Sequence, residues 1–261
     1  MVLEYSAVDG VGALVLNRPD VLNAFNDELG FAVLEAVQKA SSDDSVRCLT
    51  ITGAGRGFCA GEDLGALADG YEDGSLPELG RTLVDRYNPL IRVLRSTPKP
   101  VVAAINGVAA GAGASLALAC DYRIASEKAK FVLAFIKVGL VPDSGAVWFL
   151  AKMVGEARAM ELATTGRPVD AAEALALGLV NEVVAADELS SRLSAVAQEL
   201  AIAPTRAYAL TKDLVYKASE RSLDEQLEAE VDAQSDAGST NDHLEGVKAF
   251  LGKRSPTFRG N

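Results

Sequence analysis

The chain has 261 residues, 49% apolar and 23% charged, the composition of an ordinary globular protein of one to two domains. A single histidine, His243, and three cysteines, Cys48, Cys59 and Cys120, exclude histidine-rich metal sites and zinc-finger ligand sets. A net charge of −11 and a pI near 4.7 argue against nucleic acid or an anionic membrane as the main partner, because both need clustered Lys and Arg.

Residues 1–20 carry Glu4 and Asp9 where a secretory leader would be basic and then apolar, so no signal peptide is expected. Tyr5 to Val8 and Ala13 to Leu16 are short β-prone runs around Asp9-Gly10, which predicts a hairpin. Asn26 to Ala40 predicts a helix capped by Asn26, with Phe31, Leu34 and Val37 on its inward face. A strand over Cys48 to Thr52 runs into a glycine-rich turn, Gly53 to Gly61.

Ala66 to Asn88 is polar and rich in glycine, which suggests a pocket-covering loop, and its acidic run Asp69 to Glu78 reads as solvated. Helical spacing follows through Leu83, Tyr87, Leu90, Ile91 and Leu94. The uncharged run from Pro100 to Cys120 is interrupted by Asn106, Gly107, Gly111 and Gly113. It predicts a buried strand at Val101 to Ile105, a turn, and a helix over Gly111 to Cys120 rather than a membrane span. Asp121 to Ala125 and Lys130 to Leu133 read as strands, and the chain from about residue 155 as wholly helical. Solidly apolar strands alternating with helices predict an α/β core with a covered sheet.

Two glycine-rich turns, Gly53–Gly61 and Asn106–Gly113, each follow a strand and lead into a helical segment. Backbone amides at such points are unpaired donors that favour anions. Neither turn has a phosphate-loop pattern, and for each alone close backbone packing is an equally good reading. Together they have the makings of an oxyanion hole. The three cysteines show no CxxC spacing and read as reduced thiols of a cytoplasmic protein. Cys59 adjoins a turn but has no histidine near it in sequence, so a structural role is expected. His243, in Asn241-Asp242-His243-Leu244-Glu245, reads as a solvated helix-face residue.

Gly57-Phe-Cys-Ala-Gly-Glu-Asp-Leu64, Lys99-Pro-Val-Val-Ala-Ala-Ile-Asn-Gly-Val-Ala-Ala-Gly-Ala-Gly113 and Ala119-Cys-Asp-Tyr-Arg-Ile-Ala125 resemble the enoyl-CoA hydratase/isomerase (crotonase) superfamily. Leu16-Asn-Arg-Pro19, Asn23-Ala-Phe25, Gly139-Leu-Val-Pro142 and the segment Phe250 to Phe258 extend the resemblance over nearly the whole chain.

The resemblance implies an α/β crotonase (ClpP-like) fold: a stacked ββα superhelix over 1–200 holding an acyl-CoA site, then a helical oligomerisation region over 201–261. It implies a homotrimer or hexamer, an acyl-CoA thioester as substrate, and no cofactor beyond the coenzyme A that the substrate carries. The amides of Ala60 and Ala112 would be the oxyanion donors, Ala112 standing where the family more often has glycine. Ala24, Ala60, Gly61, Glu62, Asp63 and Leu64 would line the CoA segment, and Phe250 and Lys253 would contact its nucleotide, in some members from a neighbouring subunit.

The hydratases of the family use two glutamates, and the matching positions here are Ser115 and Phe135. The ionisable candidate that remains is Asp143, where other members place a catalytic aspartate. A single carboxylate suits a 1,3-proton shift, taking a proton from one carbon of the acyl chain and returning it to another. The residues alone leave open whether Asp143 is that base or a cap for the helix beginning near Val147. Phe135 and Trp148 are candidates for an acyl pocket, and Tyr87-Asn-Pro-Leu90 with Gly155 to Met160 resemble family isomerases that open aryl epoxides. A hydratase, and an acyl-CoA-binding scaffold without turnover, are the alternatives. Arg18 and Arg56 would either steer CoA phosphates or serve the surface.

Overall fold

The computed structural model describes residues 1–68, Gly74 and residues 78–261. Most of the acidic run Asp69 to Glu78 lies outside the described residues.

Asp9 and Gly10, both at positive φ, close the hairpin between β1 (Leu3–Val8) and β2 (Val11–Leu16) in the turn geometry that matches strand twist. The Asn26 side chain accepts from the Leu29 amide and starts α1 (Asp27–Ser42). The inward face of α1 is Leu29, Val33, Val37 and Ala40; Phe31, expected there, is half exposed. The buried face carries Val33, Val37 and Ala40 rather than the bulkier Phe31.

The core is a stack of repeated strand pairs. β3 (Cys48–Gly53), β5 (Val101–Ile105) and β7 (Tyr122–Ser126) lie parallel in a six-stranded sheet ordered β1-β2-β3-β5-β7-β10, with β10 at Glu182–Val184. Their successors β4 (Gly57–Cys59), β6 (Val108–Ala110) and β8 (Lys130–Val132) lie parallel in a second sheet whose last strand is β9 (Pro168–Asp170). Helices fill the turns of this stack: α2 (Leu79–Thr82), a π-helical turn over Leu83–Tyr87, α3 (Asn88–Ser96) and α4 (Ala112–Ala119). All five residues of β5 are buried because both faces are covered. Val101, Ala103 and Ile105 join the main core, whereas Val102 and Ala104 meet α7 (Leu189–Ala201) through Val196 and Ala197.

The region after residue 155 is not wholly helical. β9 (Pro168–Asp170) pairs antiparallel with β8, and β10 (Glu182–Val184) pairs parallel with β7. Both are three residues long, too short for a period-2 pattern to show against the helical background. Around them run α5 (Ala146–Thr165, interrupted by Gly155 at φ 75°), α6 (Ala171–Ala176), α8 (Thr205–Lys217), α9 (Leu223–Gly238) and α10 (Asn241–Leu251). β6 is also a strand where the sequence suggested only a turn.

The C-terminal helices are tied to the core by buried charges. Lys212 of α8 reaches Asp121 at 2.8 Å and the Leu94 carbonyl at 3.1 Å, and the Tyr216 hydroxyl donates to the other Asp121 oxygen. Arg47 donates to Thr205 Oγ1, the Ala203 carbonyl and the Phe258 carbonyl. Among the described residues no helix is long and apolar enough to cross a membrane.

Candidate active site

The two glycine-rich turns meet because several of their residues have no side chain to keep them apart. A Cβ on Gly113 would lie 2.2 Å from the Cys59 carbonyl oxygen, and one on Gly61, whose φ is +95°, would lie 2.9 Å from the Ala110 oxygen. This close approach sets Ala60–Glu62 beside Gly111–Ala112 on the wall of one cavity of about 150 Å³. Two buried or partly buried asparagines hold the turn carbonyls in place. Asn23 Nδ2 donates to Gly57 and Ala54, and Asn106 Nδ2 to Gly53 and Gly55, all within 3.0 Å.

Ala112 is the first residue of α4, and its amide has no hydrogen-bond partner among the described residues. The Ala60 amide donates to the Leu22 carbonyl at 3.0 Å. The turns therefore present one free donor and one already engaged. Leu22 and Asn23 both sit at positive φ, and that bend is what brings the Leu22 carbonyl to Ala60.

Asp143 lines the same cavity, together with Phe135, Val138 and Leu140. It is not a helix cap: Gly145 occupies that position of α5, with no side-chain cap bond. Burial, with the Glu62 charge as a smaller contribution, raises the Asp143 carboxyl above the usual 3.8, while the hydrogen bond from Ser144 pulls the other way. Ser144 donates to Asp143 Oδ1 at 2.8 Å from a backbone held at φ 52°. A non-glycine residue in that region costs about 1–3 kcal/mol and persists only where its surroundings enforce it.

Of the two positions that carry glutamate in hydratases, Phe135 forms cavity wall and Ser115 is fully buried. The Ser115 hydroxyl donates to the Asp143 carbonyl at 3.2 Å and lies 3.3 Å from the Gly111 carbonyl.

A second carboxylate on the cavity wall, Glu62, was assigned from sequence only to the CoA segment. Its Oε2 accepts from Arg86 Nη2 at 2.5 Å and from the Tyr87 hydroxyl. Arg86 is 1% exposed and also reaches Asp27 at 2.9 Å. Its side chain passes where a Cβ on Gly30 would be, 2.2 Å from Arg86 Cδ, and Tyr87 packs edge-on against Phe25 at 5.6 Å. The π-helical turn Leu83–Tyr87 places both side chains, a local irregularity common at functional sites. No periodicity in the sequence signals such a turn.

Leu64 lines the cavity; Ala24 and Asp63 do not. Ala24 is buried and its carbonyl accepts from Arg18 Nη1 at 2.6 Å, while Asp63 pairs with Arg18 at 2.9 Å and caps the 3₁₀ turn Leu64–Leu67. Arg18 thus holds two internal partners. Trp148, expected in the acyl pocket, points away from it. It is 44% exposed, stacked edge-on against Phe149, beside Arg95 and Lys152 in a separate groove. Phe250 and Lys253 are exposed and line no part of the cavity within the chain.

All three cysteines are buried and free. Burial pushes the Cys59 thiol up to about 12, so the neutral form persists beside the turn. His243 is exposed at the start of α10. Among the described residues no group of His, Cys, Asp and Glu is placed to hold a metal ion.

The chain matches the family model described as enoyl-CoA hydratase/isomerase over residues 6–261. It is 48% identical over 253 residues to the 1,2-epoxyphenylacetyl-CoA isomerase of Escherichia coli K12, covering 96% of this chain and 95% of that one. It is 40% identical to a probable enoyl-CoA hydratase of Rhodobacter capsulatus, covering 99% and 98%. A solved enoyl-CoA hydratase/isomerase family protein from Mycobacterium abscessus superposes with a TM-score of 0.94 at 37% identity, covering 99% of this chain and all of that one. With its stacked strand pairs, its two apposed glycine-rich turns and this end-to-end similarity, the chain belongs to the enoyl-CoA hydratase/isomerase (crotonase) superfamily and has its α/β fold.

Proposed function

We propose that this protein is an acyl-CoA isomerase in which Asp143 moves a proton along the acyl chain while the Ala112 amide, assisted by Ala60 as a shared donor, holds the thioester enolate oxygen. The observation that carries this reading is a partly desolvated carboxylate sharing one cavity with a free helix-start amide, while Ser115 and Phe135 carry no carboxylate. An α-proton beside a thioester becomes removable when the developing oxyanion is stabilised, and one good donor contributes about 2.7–4 kcal/mol. A carboxyl raised above its usual range is a better base for that proton than an exposed one. The proton leaves Cα for Asp143, the electron pair delocalises through the thioester and the chain, and the Asp143 carboxyl, which can exchange its proton with solvent, returns a proton at Cγ, or the reverse. The similarity to an epoxyphenylacetyl-CoA isomerase and the apolar wall of Phe135, Val138 and Leu140 favour an aryl or other apolar acyl group, as an epoxide or a β,γ-alkene.

No cofactor is needed beyond the coenzyme A of the substrate. Leu223, Leu227 and Val231 leave an exposed apolar stripe on α9, and Phe250 and Leu251 protrude at the end of α10. These surfaces support assembly through residues 201–261 into a homotrimer or hexamer, with Phe250 and Lys253 offered to a neighbour's CoA segment. Three buried free thiols fit a cytoplasmic protein.

The test is conversion of a β,γ-enoyl-CoA by wild type and Asp143→Asn, following conjugated thioester absorbance and solvent deuterium at the α and γ carbons. Wild-type turnover with exchange at both carbons, falling by at least about 100-fold in the variant, is expected. Turnover that survives Asp143→Asn would overturn the assignment, and undiminished binding with no turnover in either protein would point to a scaffold. Hydration is the second reading, because Glu62 brings a second carboxylate to the cavity; appearance of 3-hydroxyacyl-CoA in the same assay would favour it.

A further inference from the structure

Glu62 stands two residues after Ala60 and directly after Gly61, whose φ of +95° and missing side chain make it the most permissive point of the first glycine-rich turn. Main-chain bonds tie this turn to Phe25, whose amide donates to the Gly61 carbonyl at 2.6 Å and whose carbonyl accepts from the Asp63 amide at 2.8 Å. Gly61 also lies against the Ala110 carbonyl and Gly111 Cα, so the turn backs the loop that presents the free Ala112 amide. The Glu62 side chain adds an attachment to a different element. Its Oε2 accepts from Arg86 Nη2 at 2.5 Å and from the Tyr87 hydroxyl, both carried by the π-helical turn Leu83–Tyr87. That element also supplies Leu83 and Tyr87 to the cavity wall, so one grip joins the wall to the oxyanion turn. Arg86 is itself held by Asp27 at 2.9 Å. Burial first, and the Glu62 charge next, push the Tyr87 hydroxyl well above its ordinary value, so it stays a donor. No step assigned to Asp143 uses these three side chains.

We infer that Arg86 and Tyr87 are positioning residues: by gripping Glu62 they hold the Ala60–Glu62 turn in the geometry that stabilises the enolate, and so set the rate of α-proton removal rather than the affinity for the acyl-CoA. The inference rests on the acyl-CoA isomerase reading above. An oxyanion donor acts only where its N–H points at the oxygen as charge develops. A misplacement of about 1 Å lowers the rate on the order of 100-fold. An interaction made only in the transition state is read in kcat and not in ground-state binding. The alternative is that the main-chain bonds to Leu22 and Phe25 hold the turn unaided and that the grip serves stability alone.

The experiment compares wild type with Tyr87→Phe, Glu62→Ala and the double variant Tyr87→Phe/Glu62→Ala. Tyr87→Phe removes one hydroxyl and keeps the ring against Phe25, and in Glu62→Ala the buried Arg86 keeps Asp27 as its partner. Each protein is assayed for kcat on a β,γ-enoyl-CoA, for the dissociation constant of hexanoyl-CoA by calorimetry, and for its melting temperature. The expected result is a kcat lower by about 10-fold in Tyr87→Phe and about 100-fold in Glu62→Ala, with hexanoyl-CoA affinity kept within about threefold. The double variant should be no slower than Glu62→Ala, because Tyr87 reaches the turn only through Glu62. An unchanged kcat in Tyr87→Phe and Glu62→Ala, with or without a lower Tm, overturns the inference and leaves the isomerase reading standing. A loss confined to affinity overturns it too and makes Glu62 a ligand contact. Losses that multiply in the double variant overturn the link through Glu62. Should Glu62→Ala not fold, Tyr87→Phe decides by the same split between kcat and affinity. A wild type that converts no β,γ-enoyl-CoA overturns the isomerase reading itself, and this inference with it.

Discussion

The hydroxyl of Ser115 donates to the backbone carbonyl of Asp143 at 3.2 Å, joining the buried interior of α4 to the segment that carries the candidate base. Where the resemblance places a glutamate in hydratases, this chain has a hydroxyl that meets the main chain of Asp143. With Ser144 at φ 52° and Gly145 at φ 76° just beyond, the peptide at Asp143 is held from both sides.

Replacing Ser115 by Ala removes that tie and leaves a small gap. The expected outcome is a loss of about 1 kcal/mol in stability and a larger fall in kcat than in substrate affinity, since the base is displaced while the cavity wall is kept. Urea denaturation and steady-state kinetics measure the two. A variant with wild-type kcat would show that the carbonyl contact does not position Asp143.

Asp143 carries a pH signature whose sign follows from its environment. Burial raises its folded pKa above the usual 3.8, so between the unfolded and folded values the native state holds more protons than the unfolded chain. Its ionised carboxylate therefore lowers stability as pH rises through that window, and the cost persists at neutral pH. Asp143→Asn is expected to raise Tm at pH 7, an advantage that shrinks as pH falls through the folded pKa and disappears below the ordinary carboxyl value of 3.8. Activity should fall in the opposite direction, lost as pH drops through the folded pKa. Calorimetric melts of both proteins from pH 3.5 to 8 check the first, and the acid limb of kcat/KM the second.

The buried pair between Lys212 and Asp121 anchors the C-terminal helices. Their side chains are 5% and 7% exposed, and burial pulls the Lys212 ammonium below its ordinary value while Asp121 opposes the shift. Lys212→Met leaves Asp121 its Val101 amide and Tyr216 hydroxyl but takes away its paired ammonium, and is expected to cost about 3–5 kcal/mol. The double variant Lys212→Met/Asp121→Asn should recover more than half of that loss, because it removes the stranded charge. Denaturant midpoints of the two variants decide it, and additive losses would show that the pair does not act as a unit.

The elements whose residues interact with near neighbours in the chain were legible without coordinates. The β1–β2 hairpin, the Asn26-capped helix α1, the apolar strands β3 and β5 and the helices α7 to α10 depend on turn chemistry, capping and apolar spacing, all of them local. The two glycine-rich turns were legible for the same reason, since glycine marks the positions where backbone must approach closely. Tertiary structure alone decided which stripe of α1 faces inward, that three-residue segments at Pro168–Asp170 and Glu182–Val184 complete the sheets, and that Trp148 leaves the cavity while Glu62 enters it. It also decided that the Ala60 amide is engaged by Leu22, 38 residues earlier, and that Arg86 and Tyr87 hold a carboxylate 24 and 25 residues before them. Such partnerships join residues with no periodic relation in sequence, so only the geometry that packs the turns together, with Gly30, Gly61 and Gly113 making room, brings them into being.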